Sequence, residues 1–374
     1  MTEPTSEILF VTWDGGGNVP PALAVARELQ ARGHAVRFLG HATQADRIRA
    51  AGFEFVPPRH ARPFDNRETP SNATMMATFG DRGLGRDLVE EARRRPPDLV
   101  VVDALMFGAL AAAHEAGLRY AVLEHCFHSY YRAGILRGPL GWSLRLKGLR
   151  PQRALDGAAV RLLATLPALD PVPDAPPNLR QVGPVVDVAP HREPDSPTDS
   201  PTVLVSLSTF GFARMQRSLQ AIVDATRDLD ARVVVTTGPA IDPADVDAPG
   251  HVEVRRFVPH VELMPRASLV VGHGGHGTTM QALAHDLPMV VMPMDRLTDQ
   301  PLVGRTLAEA GAARVVRKGA RPEALAPTLA EMLADGPHRT AASRLGAQVR
   351  AMPGATLGAD VLEELVGGRA RTAG

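Results

Sequence analysis

The chain has 374 residues, 44% of them hydrophobic and 22% charged, which is the composition of a soluble globular protein with room for two domains. Forty-one basic residues balance 41 acidic ones, which argues against a chain-wide attraction to nucleic acid or anionic membrane. No apolar run reaches the roughly 18 residues of a membrane span, and no basic segment precedes the first apolar run as in a signal peptide. The single cysteine, Cys126, excludes a disulfide framework and a cysteine metal site, so a reducing cytoplasm is the default expectation.

Residues 8–13 form a short apolar, β-prone run, followed by the turn Asp14-Gly15-Gly16-Gly17-Asn18. Pro21 opens a helical pattern that runs through Arg32 and stops at Gly33, with proline early and glycine late as helices prefer. Strands at 35–39 and 53–56 flank a short helix at 44–51. This β-α-β-α-β alternation predicts a parallel, doubly wound sheet. Residues 99–102 and 121–124 are near-continuous apolar runs, as buried parallel strands are. Residues 57–85 and 127–151 break the rhythm and read as long loops rich in Met, aromatic and Gly residues, including Met75, Met76, Phe79, Tyr130, Tyr131 and Trp142. Their apolar side chains either line a ligand site or form satellite core.

Residues 187–201 carry four prolines and no periodicity, a linker composition. Strand patterns then resume at 202–207, 232–236, 252–255, 269–272, 289–292 and 313–316, with helical patterns in most of the gaps. The reading is two facing doubly wound α/β domains with the natural ligand site in the cleft between them.

The densest chemistry lies at 270–300. A strand ends at Val271, the loop His273-Gly274-Gly275-His276-Gly277-Thr278-Thr279 follows, and a helix runs through Ala284. A glycine-rich turn at a helix N-terminus exposes backbone N–H groups and the positive end of the helix dipole. Histidine and threonine add directed hydrogen bonds, so the stretch reads as a phosphate site rather than a plain packing turn.

In order, the chain carries Phe257-Val258-Pro259-His260, the His273 loop, Leu287-Pro288-Met289-Val290-Val291-Met292-Pro293 and Asp299-Gln300. This series resembles the donor signature of GT-B glycosyltransferases, and is most similar to the bacterial natural-product enzymes of the UDP-glycosyltransferase superfamily. The resemblance implies a GT-B fold of two Rossmann-like domains. An acceptor-binding domain is expected at 1–186, a linker at 187–201, a nucleotide-sugar domain at 202–352, and a segment at 353–374 whose helix crosses back to the first domain. It also implies roles. His273 binds the diphosphate. Gly275, Gly277 and Thr278 hold phosphate oxygens, with Thr209 nearby. Val258 meets the pyrimidine. Asp299 and Gln300 bind sugar hydroxyls. The expected co-substrate is a dTDP- or UDP-sugar and the other partner a small hydrophobic acceptor. No metal, organic cofactor or nucleic acid is expected, and self-association as a homodimer is left open.

The chain departs from that pattern in four places. Gln281 stands where a ribose-binding Glu is common, and Ser208 where Gly is common. About two extra residues separate Pro293 from Asp299. The fourth departure touches mechanism. The family's base is a histidine three residues before the proline of the first helix, paired with an Asp from a later strand end. Here Asn18-Val19-Pro20-Pro21 occupies that position, while Asp103 matches the partner. Asn cannot act as a base near neutral pH. The catalytic candidates are therefore Asp103 or Asp14 as acid–base group, with Asn18 hydrogen-bonding acceptor or sugar; Asp14 as a turn residue and Asp103 as a helix cap are the plainer readings. His125 and His128 also follow a predicted strand and could face the acceptor; structure or cleft lining is the plainer reading for each. Two other functions stay in view. One is a non-catalytic binding protein on the same fold. The other is an NAD-dependent oxidoreductase, disfavoured because Gly15-Gly16-Gly17 lacks the G-x-G-x-x-G spacing and no acid ends the next strand.

Overall fold

The computed structural model describes residues 6–65, 71–186 and 200–367. The expected linker at 187–201 lies almost wholly outside them. The chain divides into two compact units. One holds the described residues up to 185 together with those from Met352 onward, and the other the described residues between.

The N-terminal unit is built on seven parallel strands: β1 (Glu7–Val11), β2 (Ala35–Leu39), β3 (Glu54–Val56), β4 (Leu99–Asp103), β5 (Tyr120–Glu124), β6 (Val160–Leu163) and β7 (Leu179–Gln181). Their order is β3-β2-β1-β4-β5-β6-β7. Every residue of β4 and β5 is buried, which is why these strands read as unbroken apolar runs. The order reverses direction between β1 and β4, the topological switch point at which ligands of doubly wound sheets bind.

The C-terminal unit repeats the plan with β8 (Thr202–Ser206), β9 (Arg232–Thr236), β10 (Val252–Arg255), β11 (Leu269–Gly272), β12 (Met289–Val291) and β13 (Ala313–Val315). The order β10-β9-β8-β11-β12-β13 puts its switch point between β8 and β11.

The last helix, Gly354–Gly367, belongs to the N-terminal unit. Ala359, Leu362 and Val366 enter the same core as Val25, Ala26 and Leu29 of the Val19–Ala31 helix. Arg32 ties the pair with Asp360 at 2.7 Å and Glu363 at 2.9 Å. Gly183 receives the start of this segment. Its φ is +88°, and a Cβ there would stand 2.6 Å from Met352 Cβ, so both backbone shape and space call for glycine.

The segments expected as long loops contain helices instead: Asn72–Phe79, the start of Arg82–Arg94, His128–Tyr130 leading into a π-helical stretch Tyr131–Leu136, and Pro139–Leu146. Their apolar residues do not share one stripe, which hides the period. Phe79 and Tyr131 are buried, whereas Trp142 is 66% and Leu146 88% exposed.

Candidate functional site

The two switch points gather the polar side chains singled out above. In the N-terminal unit β1 ends at Val11 and the chain turns through Thr12-Trp13-Asp14. Trp13 is buried against Phe79 at 5.0 Å and Phe64 at 5.6 Å between ring centroids. Asn18 opens the Val19–Ala31 helix, where an asparagine ordinarily caps the first N–H groups. It makes no such cap. Its Nδ2 donates to the Trp13 carbonyl at 3.0 Å and to Asp103 Oδ2 at 2.7 Å. Both amide hydrogens are thereby committed, and Asn18 is 2% exposed.

Asp103, the last residue of β4, is buried and accepts the Leu105 N–H on Oδ1 at 2.9 Å. The following helix, Phe107–Glu115, begins after Met106, so Asp103 closes a local turn and does not cap that helix. A second side chain reaches Oδ2. His125, one residue past β5, places Nε2 at 3.0 Å from it. Asp14 is 8% exposed and lies within electrostatic reach of Arg47.

His125 and His128, alike in the sequence, part company here. His128 is buried with Nδ1 2.9 Å from Glu124 Oε2, while Arg161 Nε donates to Glu124 Oε1 at 2.6 Å. The backbone N–H of His128 donates to Asp170 at 2.6 Å. His128 is a structural residue. The pairing of His125 with Asp103 escaped the sequence because β4 and β5 become neighbours only in the sheet. Its one signal was the position just beyond a strand end.

In the C-terminal unit the His273 loop leaves β11, and the helix His276–Ala284 starts after Gly275 with no side-chain cap. Gly274 has φ +84°, and a Cβ there would come within 2.9 Å of Val291 Cγ1. The His273 imidazole lies over Gly275, whose Cβ position is 2.5 Å from Nε2. His273 Nδ1 is buried and meets no hydrogen-bond partner among the described residues. Burial, with the His260 imidazole beside it, pushes His273 down to about 4, so the ring is neutral at physiological pH. His260 is also lowered by burial, and its Nε2 stands 3.0 Å from Ser206 Oγ. Gly277 and Thr278 are half-buried in the first turn, and Thr279 is fully buried.

Thr209 is exposed beyond β8. Ser208, in the place of a glycine, uses its hydroxyl to accept the Phe210 N–H at 3.0 Å. Val258 is half-buried next to Phe257, which is 72% exposed. Asp299 sits at the start of the helix Gln300–Glu309. Gln300 is turned inward: its Oε1 accepts the N–H groups of Met294 at 2.8 Å and Asp295 at 3.2 Å. Its oxygen holds the loop, so the amide NH₂ is what it can offer a ligand. The extra residues before Asp299 form a turn in which Asp295 accepts the Leu297 N–H at 2.8 Å.

An open hollow of about 1000 Å³ lies over the ends of β12 and β13. Arg214, Arg217, Arg296, Arg317, Lys318 and Arg321 line it, against one acid, Asp295. One trio among the described residues has metal-ligand geometry, His60, Asp87 and Glu90 of the N-terminal unit. Both oxygens of Asp87 already accept backbone N–H groups, from His60 and Ala61.

Residues 220–365 match the family described as erythromycin biosynthesis protein CIII-like, C-terminal domain. Demethyllactenocin mycarosyltransferase of Streptomyces fradiae is 27% identical over 405 residues, covering 96% of this chain and 87% of that protein. Among solved structures, the glycotransferase of kitacinnamycin superposes with a TM-score of 0.79 at 23% identity, covering 98% of this chain and 100% of the other. The glycosyltransferase VinC in complex with dTDP does so with a TM-score of 0.72 at 22% identity, covering 96% and 99%. The chain has the GT-B fold of these solved structures, and its sequence is similar to that of natural-product glycosyltransferases.

Proposed function

We propose that the protein transfers a sugar, with inversion and without a metal, from a dTDP- or UDP-sugar to a small, largely apolar acceptor. One observation carries the donor half: a half-buried, neutral His273 whose buried Nδ1 is orphaned, beside a helix N-terminus with no side-chain cap. Buried polar atoms in native proteins are rarely left without a partner, and phosphate oxygens supply partners to both features. In this reading His273, the Gly275 and Gly277 backbone and Thr278 hold the diphosphate, with Thr209 at its edge. The basic hollow adds positive potential, Val258 meets the base, and Asp299 with the Gln300 amide holds the sugar. VinC, solved with dTDP, supports the thymidine alternative. With phosphate charge met by dipoles and arginines, no divalent cation is needed.

The acceptor half rests on Asp103 and the loop of Asp14 and Asn18. Attack by the acceptor from the face opposite the leaving diphosphate inverts the anomeric carbon in a single displacement. The test is cheap. Millimolar UDP or dTDP should raise the melting temperature, by roughly 2.7 kcal/mol of stabilisation at 100 times Kd, and NAD should not. Stabilisation by NAD alone would overturn the reading.

A second reading, a non-catalytic binding protein, is favoured by Asn18, which cannot act as a base. Release of nucleoside diphosphate on adding acceptor separates the two.

A further inference from the structure

We infer that the helix Pro139–Leu146 and the basic residues beside it form a surface that docks on an anionic lipid bilayer. Docking of this kind is separate from glycosyl transfer, and its test needs neither donor nor acceptor. The charge here is one-sided. Between Glu124 and Asp156 there is no acidic residue, while Arg132, Arg137, Arg145, Lys147, Arg150 and Arg153 supply six cations. All six are exposed, and none makes an ion pair among the described residues. Of the acids on the segments beside the helix, Asp81 is buried and accepts the N–H groups of Arg62 and Gly83. Asp156 accepts from Gln152 Nε2 at 2.7 Å.

The helix fixes which side chains face outward. Pro139 opens it, and Gly141 and Leu144 are its buried residues. A Cβ on Gly141 would collide with the Leu136 carbonyl, so the helix lies tight against the preceding turn. Just past its end Leu149 is fully buried, and Arg82 Nη2 donates to the Lys147 carbonyl at 3.3 Å. Leu146 is therefore held out between two buried leucines and is not part of a frayed end. The spacing i, i+3, i+7 puts Pro139, Trp142 and Leu146 on one outward stripe. Among the described residues, the other exposed large apolar side chains, Phe257, Leu297 and Val315, belong to the C-terminal unit. Arg145 edges the stripe. Its Nη1 donates to the Leu136 carbonyl at 3.0 Å, and its Cζ lies 6.0 Å from the Trp142 ring centroid.

Single exposed apolar side chains are ordinary. An indole and a leucine on one stripe, flanked by cations and no free acid, match what an anionic bilayer offers. Indole rings settle at headgroup level, aliphatic side chains enter the acyl boundary, and Lys and Arg meet the lipid phosphates. A nucleic acid would answer the charge but leave Leu146 in water. A second copy of this face would set the cations against their own kind. An eight-residue helix can lie on a bilayer but not cross it. With zero net charge over the whole chain, the attraction is local.

The test uses the full chain with two kinds of vesicle, phosphatidylcholine alone and equimolar phosphatidylcholine and phosphatidylglycerol. The protein should sediment with the second and stay in solution with the first, and added salt should release it. The chain has two tryptophans, and Trp13 is buried against Phe79 and Phe64. A blue shift in emission on binding therefore reports Trp142, and Trp142→Phe should abolish it. Leu146→Ser should weaken vesicle binding on the order of tenfold, and Lys147→Gln about fivefold. Arg317→Gln, in the basic hollow of the C-terminal unit, should leave vesicle binding unchanged. All four side chains are exposed, so the variants should melt with the wild type. Binding to neither vesicle, or to both equally, would overturn the proposal. So would binding that Arg317→Gln weakens and Leu146→Ser does not. A dimer or a duplex oligonucleotide complex that Leu146→Ser disperses, in a wild type that ignores vesicles, would give the face to that partner and overturn it too.

Discussion

Asn18 donates to Asp103 across 2.7 Å, from a helix N-cap it does not use for capping. The amide of Asn18 braces the buried Asp103 carboxylate. Removing it leaves a buried acceptor short of a donor. Asn18→Ala should therefore lower stability by about 1–3 kcal/mol, the cost of an unsatisfied buried polar group. Urea unfolding checks this. An Asn18→Ala protein as stable as the wild type would mean the brace is idle.

His41 provides a pH prediction. Burial pushes its imidazole down to about 4, against an ordinary value of 6.5, although Asp81 pulls the other way. The unfolded chain then takes up a proton near pH 6.5 that the native protein refuses until about pH 4. Stability from this group is complete above pH 6.5 and is lost as the pH falls toward 4, by at most about 3 kcal/mol. His273 acts in the same direction. The fall in melting temperature between pH 7 and 4.5 should be smaller in His41→Gln than in the wild type. Equal falls would contradict the assignment.

The last helix should matter to the N-terminal unit through packing more than through charge. Leu362 is fully buried between it and the Val19–Ala31 helix, so Leu362→Ala should cost about 2–5 kcal/mol. Arg32→Ala removes partly exposed ion pairs to Asp360 and Glu363 and should cost no more than about 1 kcal/mol. Chemical denaturation of the two variants ranks them, and the reverse order would refute the packing account.

Much of this was legible in the sequence. The C-terminal strands at 232–236 and 269–272 lie where the apolar runs put them, because buried parallel strands show as nearly unbroken aliphatic stretches. The His273 loop was legible because glycine spacing and a strand–helix junction are local. Features made by tertiary contact were not. Nothing in residues 120–130 tells His125 from His128, since Asp103 and Glu124 select between them from neighbouring strands. Nor does the sequence show that the Gln300 oxygen closes on Met294 and Asp295, leaving only its NH₂ for a ligand. The edge strand β7, with one buried residue in three, leaves no apolar signature.

The central claim is that the His273 loop binds a nucleoside diphosphate. Calorimetric titration of UDP and dTDP into the wild type and His273→Ala at pH 7 tests it directly. One site per chain should be seen with at least one nucleotide, and the variant should bind about 1–3 kcal/mol more weakly, the cost of a lost hydrogen bond to a charged group. Equal affinity in the two proteins, or no binding of either nucleotide to the wild type, would contradict it.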